Sequence, residues 1–154
     1  MEVIIESPNL NDLNHINKLA KQVHDIHVNW RPDLFKKAEE VISKGQLEEL
    51  IANKEIFVAK LQEEIVGYVT IKIVEKTNPS MRYRVQISIE AICVDEKARG
   101  KGIGTKLLEY VREYGKQNGC TDMYLTVNEE NENAINLYEK FGFRVKSIAY
   151  SMEI

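Results

Sequence analysis

Cysteine and proline are scarce in this chain of 154 residues, which has two of the first and three of the second. Two cysteines are too few for a disulfide scaffold, and we expect Cys93 and Cys120 to be reduced thiols. No apolar run approaches the roughly 20 residues that a membrane-spanning helix needs. The first six residues lack the basic and apolar regions of a signal peptide. We therefore expect a cytoplasmic protein without a membrane partner.

An excess of positive charge is also missing. The 21 Lys and Arg residues face 24 Asp and Glu residues, for a formal net charge of −3. Because nucleic-acid-binding domains are usually basic, we expect no nucleic-acid partner. What the chain does have is enough apolar residues, 44%, for an ordinary buried core. Its length predicts a single domain over residues 1–154.

The hydrophobic pattern predicts a mixed α+β fold with the element order βααβββαβαβ. Strands are predicted at 1–5, 55–61, 65–75, 82–94, 123–128 and 143–153, and helices at 10–30, 34–53, 103–118 and 133–141. The second helix is the weakest, and Ser43 with Gln46 fits a capping box that restarts it. Strands alternate with helices only in the second half, which favours a mixed sheet over a doubly wound one.

The long strand at 82–94 shows strict alternation. Val85, Ile87, Ile89, Ala91 and Cys93 form one set, and Arg84, Gln86, Ser88 and Glu90 form the other. Because successive strand residues point to opposite faces, this pattern predicts one core face and one polar face.

A cluster of glycines follows that strand and precedes an amphipathic helix. A Walker A loop does not fit, because Lys101 precedes Gly102 and Thr105 precedes Lys106, so the required G-x-x-x-x-G-K-[ST] pattern is missing. A dinucleotide fingerprint fails at its third glycine, where Thr105 stands. The pattern R-x-x-G-x-G does fit, as Arg99, Gly102 and Gly104. Glycines there permit close backbone approach to a ligand, and a helix N-terminus favours anions such as a pyrophosphate. The alternative is an ordinary flexible connection between strand and helix.

The loop at 99–104 and a second motif at 131–143 together make the sequence resemble the GNAT superfamily of N-acetyltransferases. The segment from Arg99 to Gly104 is similar to that family's acyl-CoA-binding motif. The segment 131–143 is similar to its later N-x-x-A-x-x-L-Y-x-x-x-G-F pattern. The resemblance covers roughly 89–143; the first half matches in element order only. It implies a splayed mixed sheet of six to seven strands flanked by about four helices, with acetyl-CoA held in the splay.

The resemblance also implies roles for particular residues. The backbone of Ile92, Cys93 and Val94 would pair with the pantetheine arm of the cofactor. Asn131 would contact that arm, Ala134 would leave room for it, and Tyr138 would lie near the thioester sulfur. The pyrophosphate would bind the backbone N–H groups of the loop, which comprises Arg99, Gly100, Lys101, Gly102, Ile103, Gly104 and Thr105.

Acetyl transfer to an amine needs a base for the amine and a proton for the leaving thiolate. Tyr138 is the candidate acid; the alternative is a tyrosine that packs on the core. Glu90 is the candidate base, and the alternatives are a water relay or a carboxylate that merely faces solvent. Cys93 as an acyl-carrying nucleophile is disfavoured, because its position in the alternation predicts a small buried hydrophobe.

The acceptor side is less defined. His24 and His27 could share one helix face, but zinc would want further ligands, so we expect no metal. We instead expect His27, Trp30 and Phe35 to line the acceptor cleft, together with Ser88, which shares the strand face of Glu90. The alternative is a helix end anchored by one tryptophan.

The sequence thus predicts an acetyl-CoA-dependent N-acetyltransferase acting on a primary amine of a small molecule or peptide. The amine would attack directly in a ternary complex, and a homodimer is left open. Two rival functions are a non-catalytic acyl-CoA-binding regulatory module of the same fold and a binding module without any cofactor.

Overall fold

A computed structural model describes residues 2–154. Its helices are α1 (Leu13–Trp30), α2 (Lys44–Ala52), α3 (Ile103–Gln117) and α4 (Glu132–Phe141). Its strands are β1 (Val3–Glu6), β2 (Ile56–Leu61), β3 (Glu64–Lys76), β4 (Arg84–Val94) and β5 (Asp122–Leu125). The order of these helices and strands matches the predicted order from β1 to α4. Among residues 2–154, no helix combines the length and apolarity that a bilayer crossing requires.

The five strands form one sheet in the order β1-β2-β3-β4-β5. The first four pair antiparallel, and β5 pairs parallel to β4. The predicted mixed sheet is therefore confirmed, but it has five described strands rather than six to seven. The predicted last strand, 143–153, is wrong, because that segment joins no ladder in the structure. The strand predicted at 123–128 ends at Leu125.

Each face of the sheet carries its own hydrophobic core. On one face α3 and α4 pack through residues such as Leu107, Leu108 and Val111. On the other, α1 and α2 pack through residues such as Ile16, Leu19 and Leu47. Helices therefore cover both faces, and the functional groups of β4 lie between the two cores.

A β-bulge in β4 overturns the predicted alternation. Ile89 pairs with Ile71 and Ala91 pairs with Thr70, which leaves Glu90 as an extra residue. One extra residue reverses the faces of everything after it. Ile87 and Ile89 consequently lie in the α3 core, whereas Ala91 and Cys93 pack with the α1 core. The predicted polar face is wrong as well, because Gln86 and Ser88 are buried.

The helix predicted over 34–53 is shorter in the structure, where α2 covers only Lys44–Ala52. Its predicted capping box is confirmed: Gln46 N donates to Ser43 Oγ at 3.1 Å and Ser43 N to Gln46 Oε1 at 2.8 Å. The preceding segment cannot be helical, because its backbone is bound by a side chain from α1. Val41 N and Ile42 N donate to Asn17 Oδ1 at 3.0 and 2.8 Å.

Candidate active site

The C-terminal half of β4 has an open edge. β4 and β5 pair only between Gln86–Ile89 and Asp122–Leu125, so beyond Ile89 the two strands part. Asp95 N donates to the Val66 carbonyl oxygen at 2.8 Å. Because alternate residues of a strand bond to the same neighbouring strand, the backbone N–H and C=O groups of Cys93 also point toward β3. By the same alternation, the N–H and C=O groups of Ile92 and Val94 point into the gap. They are free to pair with an extended, amide-bearing ligand.

The N-terminus of α3 lies just beyond that edge. Gly102 is its N-cap with φ of +76°, and no side chain caps the helix. The first helical hydrogen bond runs from Lys106 N to Gly102 O at 3.0 Å. Among residues 2–154, the N–H groups at 103–105 therefore have no backbone partner and are available to bind an anion. A Cβ at Gly102 would meet nothing within 4 Å, so the left-handed backbone, rather than a packing contact, requires glycine here.

Gly104 has a packing role in the structure. A Cβ at this position would lie 3.0 Å from Leu137 Cδ2 of α4, so glycine here allows α3 and α4 to pack closely. Close approach of a pyrophosphate to Gly104 stays a prediction. Its backbone N–H still belongs to the open first turn of α3.

A side-chain clamp that the sequence analysis missed joins α1 to the start of the loop. Gln22 Nε2 donates to Asp95 Oδ1 at 3.3 Å, and Glu96 N donates to Gln22 Oε1 at 3.1 Å. Asp95 Oδ1 also accepts from Lys97 N at 3.1 Å. Burial opposes ionisation of Asp95, but these hydrogen bonds and nearby lysines outweigh it and lower its pKa. No local pattern signals this clamp, because Gln22 and Asp95 are 73 residues apart.

Two tyrosines and a thiol meet near the parting strands. Tyr138, on α4, is only 8% exposed, and its ring meets the edge of Phe143 at a centroid distance of 5.8 Å. Burial, with a smaller contribution from Cys93, raises the pKa of Tyr138 to about 12. Burial raises the pKa of the Cys93 thiol to about 11, against the opposing effects of the nearby Tyr68 hydroxyl and of the charge of Arg99. Tyr68 was not predicted, and burial raises its pKa as well.

These pKa directions keep both groups in their protonated forms at neutral pH. A tyrosine with a pKa of about 12 carries its proton there, as a proton donor must. A thiol with a pKa of about 11 is protonated there and is a poor nucleophile. Tyr138 also packs in the α3 core, as the alternative of a core tyrosine predicts.

A cleft of about 450 Å³ opens on the α2 side of β3 and β4. Glu90, the extra residue of the bulge, lines it with an exposed side chain. Its charged lining comprises Glu49, Glu55, Glu90 and Lys72; its other lining residues are Val41, Ile42, Gln46, Leu50, Tyr68, Thr70, Ile71 and Ala91. Three carboxylates face one ammonium, so the cleft attracts cations.

The predicted acceptor residues form a separate cluster at the end of α1. His27 stacks on Phe35 at a centroid distance of 5.5 Å and meets Trp30 edge-on at 5.6 Å. Burial, and secondarily the charge of His24, lowers the pKa of His27. Ser88 is buried in β4 opposite Lys72. The lining of the cleft includes none of His27, Trp30, Phe35 and Ser88. The structure thus joins the aromatic residues to one another but not to Glu90.

The remaining predicted residues lie at the start of α4. Asn131 is the N-cap, and its Oδ1 accepts from Ala134 N at 3.2 Å. The carboxamide oxygen of Asn131 therefore caps the helix, and its Nδ2 group can donate to a ligand. Ala134 is half-buried against the α3 core. Among residues 2–154, no group of three or more His, Cys, Asp and Glu side chains is arranged to hold a metal ion.

A family comparison agrees with this geometry. The model of the acetyltransferase (GNAT) family matches residues 20–143. That range contains the open edge of β4, the first turn of α3 and Tyr138.

Matches to individual relatives cover a smaller part of the chain than the match to the family. Over 60 residues the chain is 33% identical to the spermine/spermidine N(1)-acetyltransferase of Bacillus subtilis; the match covers 38% of this chain and 40% of the relative. The chain spans less than half the length of the curated relatives it matches.

Solved structures match over nearly the whole chain. A mutant protein of Bacillus halodurans is 28% identical with a TM-score of 0.93, covering 98% of this chain and 99% of the other. An aminoglycoside N-acetyltransferase in complex with CoA has a TM-score of 0.74 at 18% identity, covering 99% and 95%. This second likeness is one of fold alone.

Proposed function

The chain belongs to the acetyltransferase (GNAT) family, and on that basis we propose that it transfers an acetyl group from acetyl-CoA to a primary amine. The two substrates react directly in a ternary complex, without a covalent enzyme intermediate. Holding an amine against a thioester lowers the barrier enough that no nucleophilic side chain is required.

One observation carries the donor assignment: the open edge of β4 leads to the uncapped first turn of α3. The amides of the pantetheine arm fit the exposed backbone groups of Ile92 and Val94. The pyrophosphate fits the free N–H groups at 103–105, beside the exposed side chains of Arg99 and Lys101. The two features occur in the order in which pantetheine and pyrophosphate are joined in coenzyme A.

The reaction then requires three positioned groups. The amine nitrogen attacks the thioester carbonyl, a C–N bond forms, and the C–S bond breaks. Glu90, directly or through water, accepts the proton that the amine loses. A backbone N–H of Ile92 or Val94 stabilises the oxyanion, and Tyr138 donates a proton to the leaving thiolate.

The acceptor enters from the cleft beside Glu90. The excess of carboxylates there favours an amine that carries a second positive charge at a distance from the reacting nitrogen. Glu49 and Glu55 hold that second charge while Glu90 faces the reacting amine. The Bacillus subtilis relative, whose name states a polyamine substrate, supports this class of acceptor.

Calorimetry with acetyl-CoA, followed by a thiol-release assay on a panel of amines, tests the proposal. We expect acetyl-CoA to bind, and diamines and polyamines to be acetylated faster than monoamines of equal length. Binding without turnover on any amine would instead support the non-catalytic acyl-CoA-binding module. Absence of binding would leave the chain as a module of this fold without a cofactor.

A control variant separates the acceptor class from the activity. Glu49→Gln with Glu55→Gln should raise KM for a diamine by roughly tenfold, about 1.4 kcal/mol. It should leave KM for a monoamine nearly unchanged. An equal effect on both amines would remove the charge of the cleft from the explanation.

A further inference from the structure

The outer part of the β3–β4 hairpin, residues 72–84, carries positive charge that the proposed reaction does not use. Four of its residues are Lys or Arg and one is Glu, in a chain whose formal net charge is −3. The loop between the two strands also exposes large apolar side chains: Met81 is 57% exposed and Tyr83 is 61% exposed. Exposed Met, Tyr and Arg side chains close together are typical of a surface that binds a partner.

The register of the hairpin puts its strand cations on one face. Lys76 pairs directly with Arg84 across the two strands, and directly opposite residues share a face. Because side chains alternate along a strand, Lys72 lies on the same face as Lys76, whereas Glu75 lies on the other. We call Lys72, Lys76 and Arg84 the cationic face of the hairpin.

Most of these charges have no counterion within the protein. Arg84 Nη1 lies 3.4 Å from Asp122 Oδ2. Among residues 2–154, Lys72, Lys76 and Arg82 form no ion pair, and all three are exposed. The pairing of Lys76 with Arg84 also places like charges opposite each other, which destabilises a sheet. Carboxylates from a bound partner would remove that repulsion.

The cationic face begins at the candidate acceptor cleft. Lys72 lines that cleft together with Glu90. Glu90 and Arg84 lie six positions apart on β4, which is roughly 20 Å at the rise of a strand. The surface is therefore acidic where the amine is proposed to react and basic at the far end of the hairpin. An extended peptide spans the same distance with about six residues.

We propose that the acceptor is an extended peptide or protein segment that carries carboxylates about five to seven residues from its reacting amine. The proposal rests on the proposed transfer of an acetyl group to an amine. With the amine at Glu90, carboxylates at that spacing reach Lys76 and Arg84 on the cationic face. Arg82 in the loop is available to the last of them, and the neighbouring Tyr83 ring offers an apolar contact.

The acidic cleft restricts where the carboxylates of the acceptor can lie. Glu49 and Glu55 line it with Glu90, so acidic residues directly after the amine are repelled. A lysine or arginine there instead supplies the second positive charge that the cleft favours. The same repulsion disfavours a nucleic acid, because its phosphates are spaced along its whole length.

Two synthetic peptides of identical composition test the spacing. Both have a free N-terminal amine; one carries three aspartates at its fifth to seventh positions, and the other carries them at its second to fourth. In fluorescence anisotropy with the full chain, the first peptide should have a Kd roughly tenfold lower at low salt. Added salt should reduce the difference, because the paired groups are exposed. Equal Kd values for the two peptides would overturn the proposal.

Charge variants locate the binding. Lys76→Gln with Arg82→Gln breaks no ion pair and should bring the two Kd values together. The matched control Lys116→Gln with Lys140→Gln removes the same charge from exposed positions on α3 and α4 and should keep the preference. Loss of the preference in both variants would assign it to the overall charge and overturn the cationic face. A single-stranded oligonucleotide that binds more tightly than the first peptide, and only with Lys76 and Arg82 intact, would overturn the peptide in favour of a nucleic acid.

A thiol-release assay separates this proposal from acetyl transfer itself. The first peptide should have a lower KM than the second, and a diamine serves as a substrate that cannot reach the hairpin. If neither the diamine nor the peptides are acetylated while the anisotropy difference persists, acetyl transfer is overturned and the peptide-binding face stands. If the diamine is acetylated and neither peptide is preferred in either measurement, acetyl transfer stands and the peptide acceptor is overturned.

Discussion

The proposed donor side and the proposed acceptor side of this protein meet at β4 but are built in opposite ways. The donor side comes largely from one continuous stretch, in which the open edge of β4 leads directly into the loop and α3. The acceptor cleft takes its lining from α2, β3 and the β4 bulge, which lie far apart in sequence. A site built from contiguous backbone is visible as a motif in the sequence, whereas a site built from side chains of distant segments is not.

The Gln22 clamp links α1 to the start of the loop through side-chain hydrogen bonds. It fastens a helix of the acceptor half to Asp95 and Glu96. Hydrogen bonds therefore connect the two sides, although different residues are proposed to act in each. The following variants test how far that separation extends.

Tyr138→Phe should have the largest effect. It removes the hydroxyl that protonates the thiolate but keeps the packed ring, so kcat should fall on the order of 10²-fold or more. The Kd for acetyl-CoA should stay within a few-fold. Steady-state kinetics and the melting temperature of the same preparation provide the measurement.

Tyr114→Phe is a matched control, because Tyr114 packs on Phe57 in the same core at a centroid distance of 5.1 Å. It should leave kcat unchanged. Near-normal turnover of Tyr138→Phe, with a lowered melting temperature, would assign Tyr138 to packing and make Tyr68 the next candidate acid.

Glu90→Gln should lower kcat at neutral pH by roughly 10- to 100-fold. This loss is at or below the smallest that a general base usually produces, because water can replace an exposed carboxylate. The deficit should shrink as the pH rises, since more of the amine is then free of its proton. A pH profile of kcat for both proteins measures this. Glu75→Gln, a control on an exposed part of β3, should match the wild type, and a pH-independent deficit would argue against the base.

Gly102→Val should weaken acetyl-CoA binding by roughly tenfold or more, about 1.4 kcal/mol, because a β-branched residue resists the left-handed backbone that opens the first turn of α3. Calorimetry gives the Kd. Gly119→Val imposes the same strain at the other end of α3, where φ is +75°. If both variants weaken binding equally, general destabilisation of the helix is the cause.

Gln22→Ala should act across the two sides with a smaller effect. Loss of the clamp loosens Asp95 and Glu96, so KM for acetyl-CoA should rise several-fold while kcat changes little. Gln22→Glu should not rescue binding, because it places a carboxylate against Asp95. Lys21→Ala, which removes only a surface ion pair with Asp25, is the control. An unchanged KM would mean that the loop holds its shape alone.

His27→Gln should have the smallest effect, and we expect that effect on the free energy of unfolding. Burial lowers its pKa, so below about pH 6.5 the unfolded chain binds the proton more readily than the folded one. Its contribution to stability is therefore complete above that pH and is lost as the pH falls through the folded pKa. Comparing melting temperatures with His27→Gln between pH 7 and 5.5 measures it. We expect less than the roughly 2–4 °C that 1 kcal/mol produces at this size.

Most of the fold was predictable from the pattern of apolar residues. The order of elements through α4, the mixed sheet and the Ser43 capping box are confirmed. The errors share a cause, which is that periodicity describes one strand or helix at a time. It could not register the extra residue at Glu90, the binding of the Val41–Ile42 backbone by Asn17, or the absence of a ladder for the strand predicted at 143–153.

By itself, the sequence determined the backbone that the proposed donor side uses, because glycines, an uncapped helix start and a preceding strand act through neighbouring residues. Only the tertiary structure decided what surrounds Glu90, since a bulge set its register and long-range packing brought Glu49, Glu55 and Tyr68 beside it. The same holds for residues 143–153: their apolar pattern predicts a strand, but whether a strand pairs is decided only once the sheet has formed.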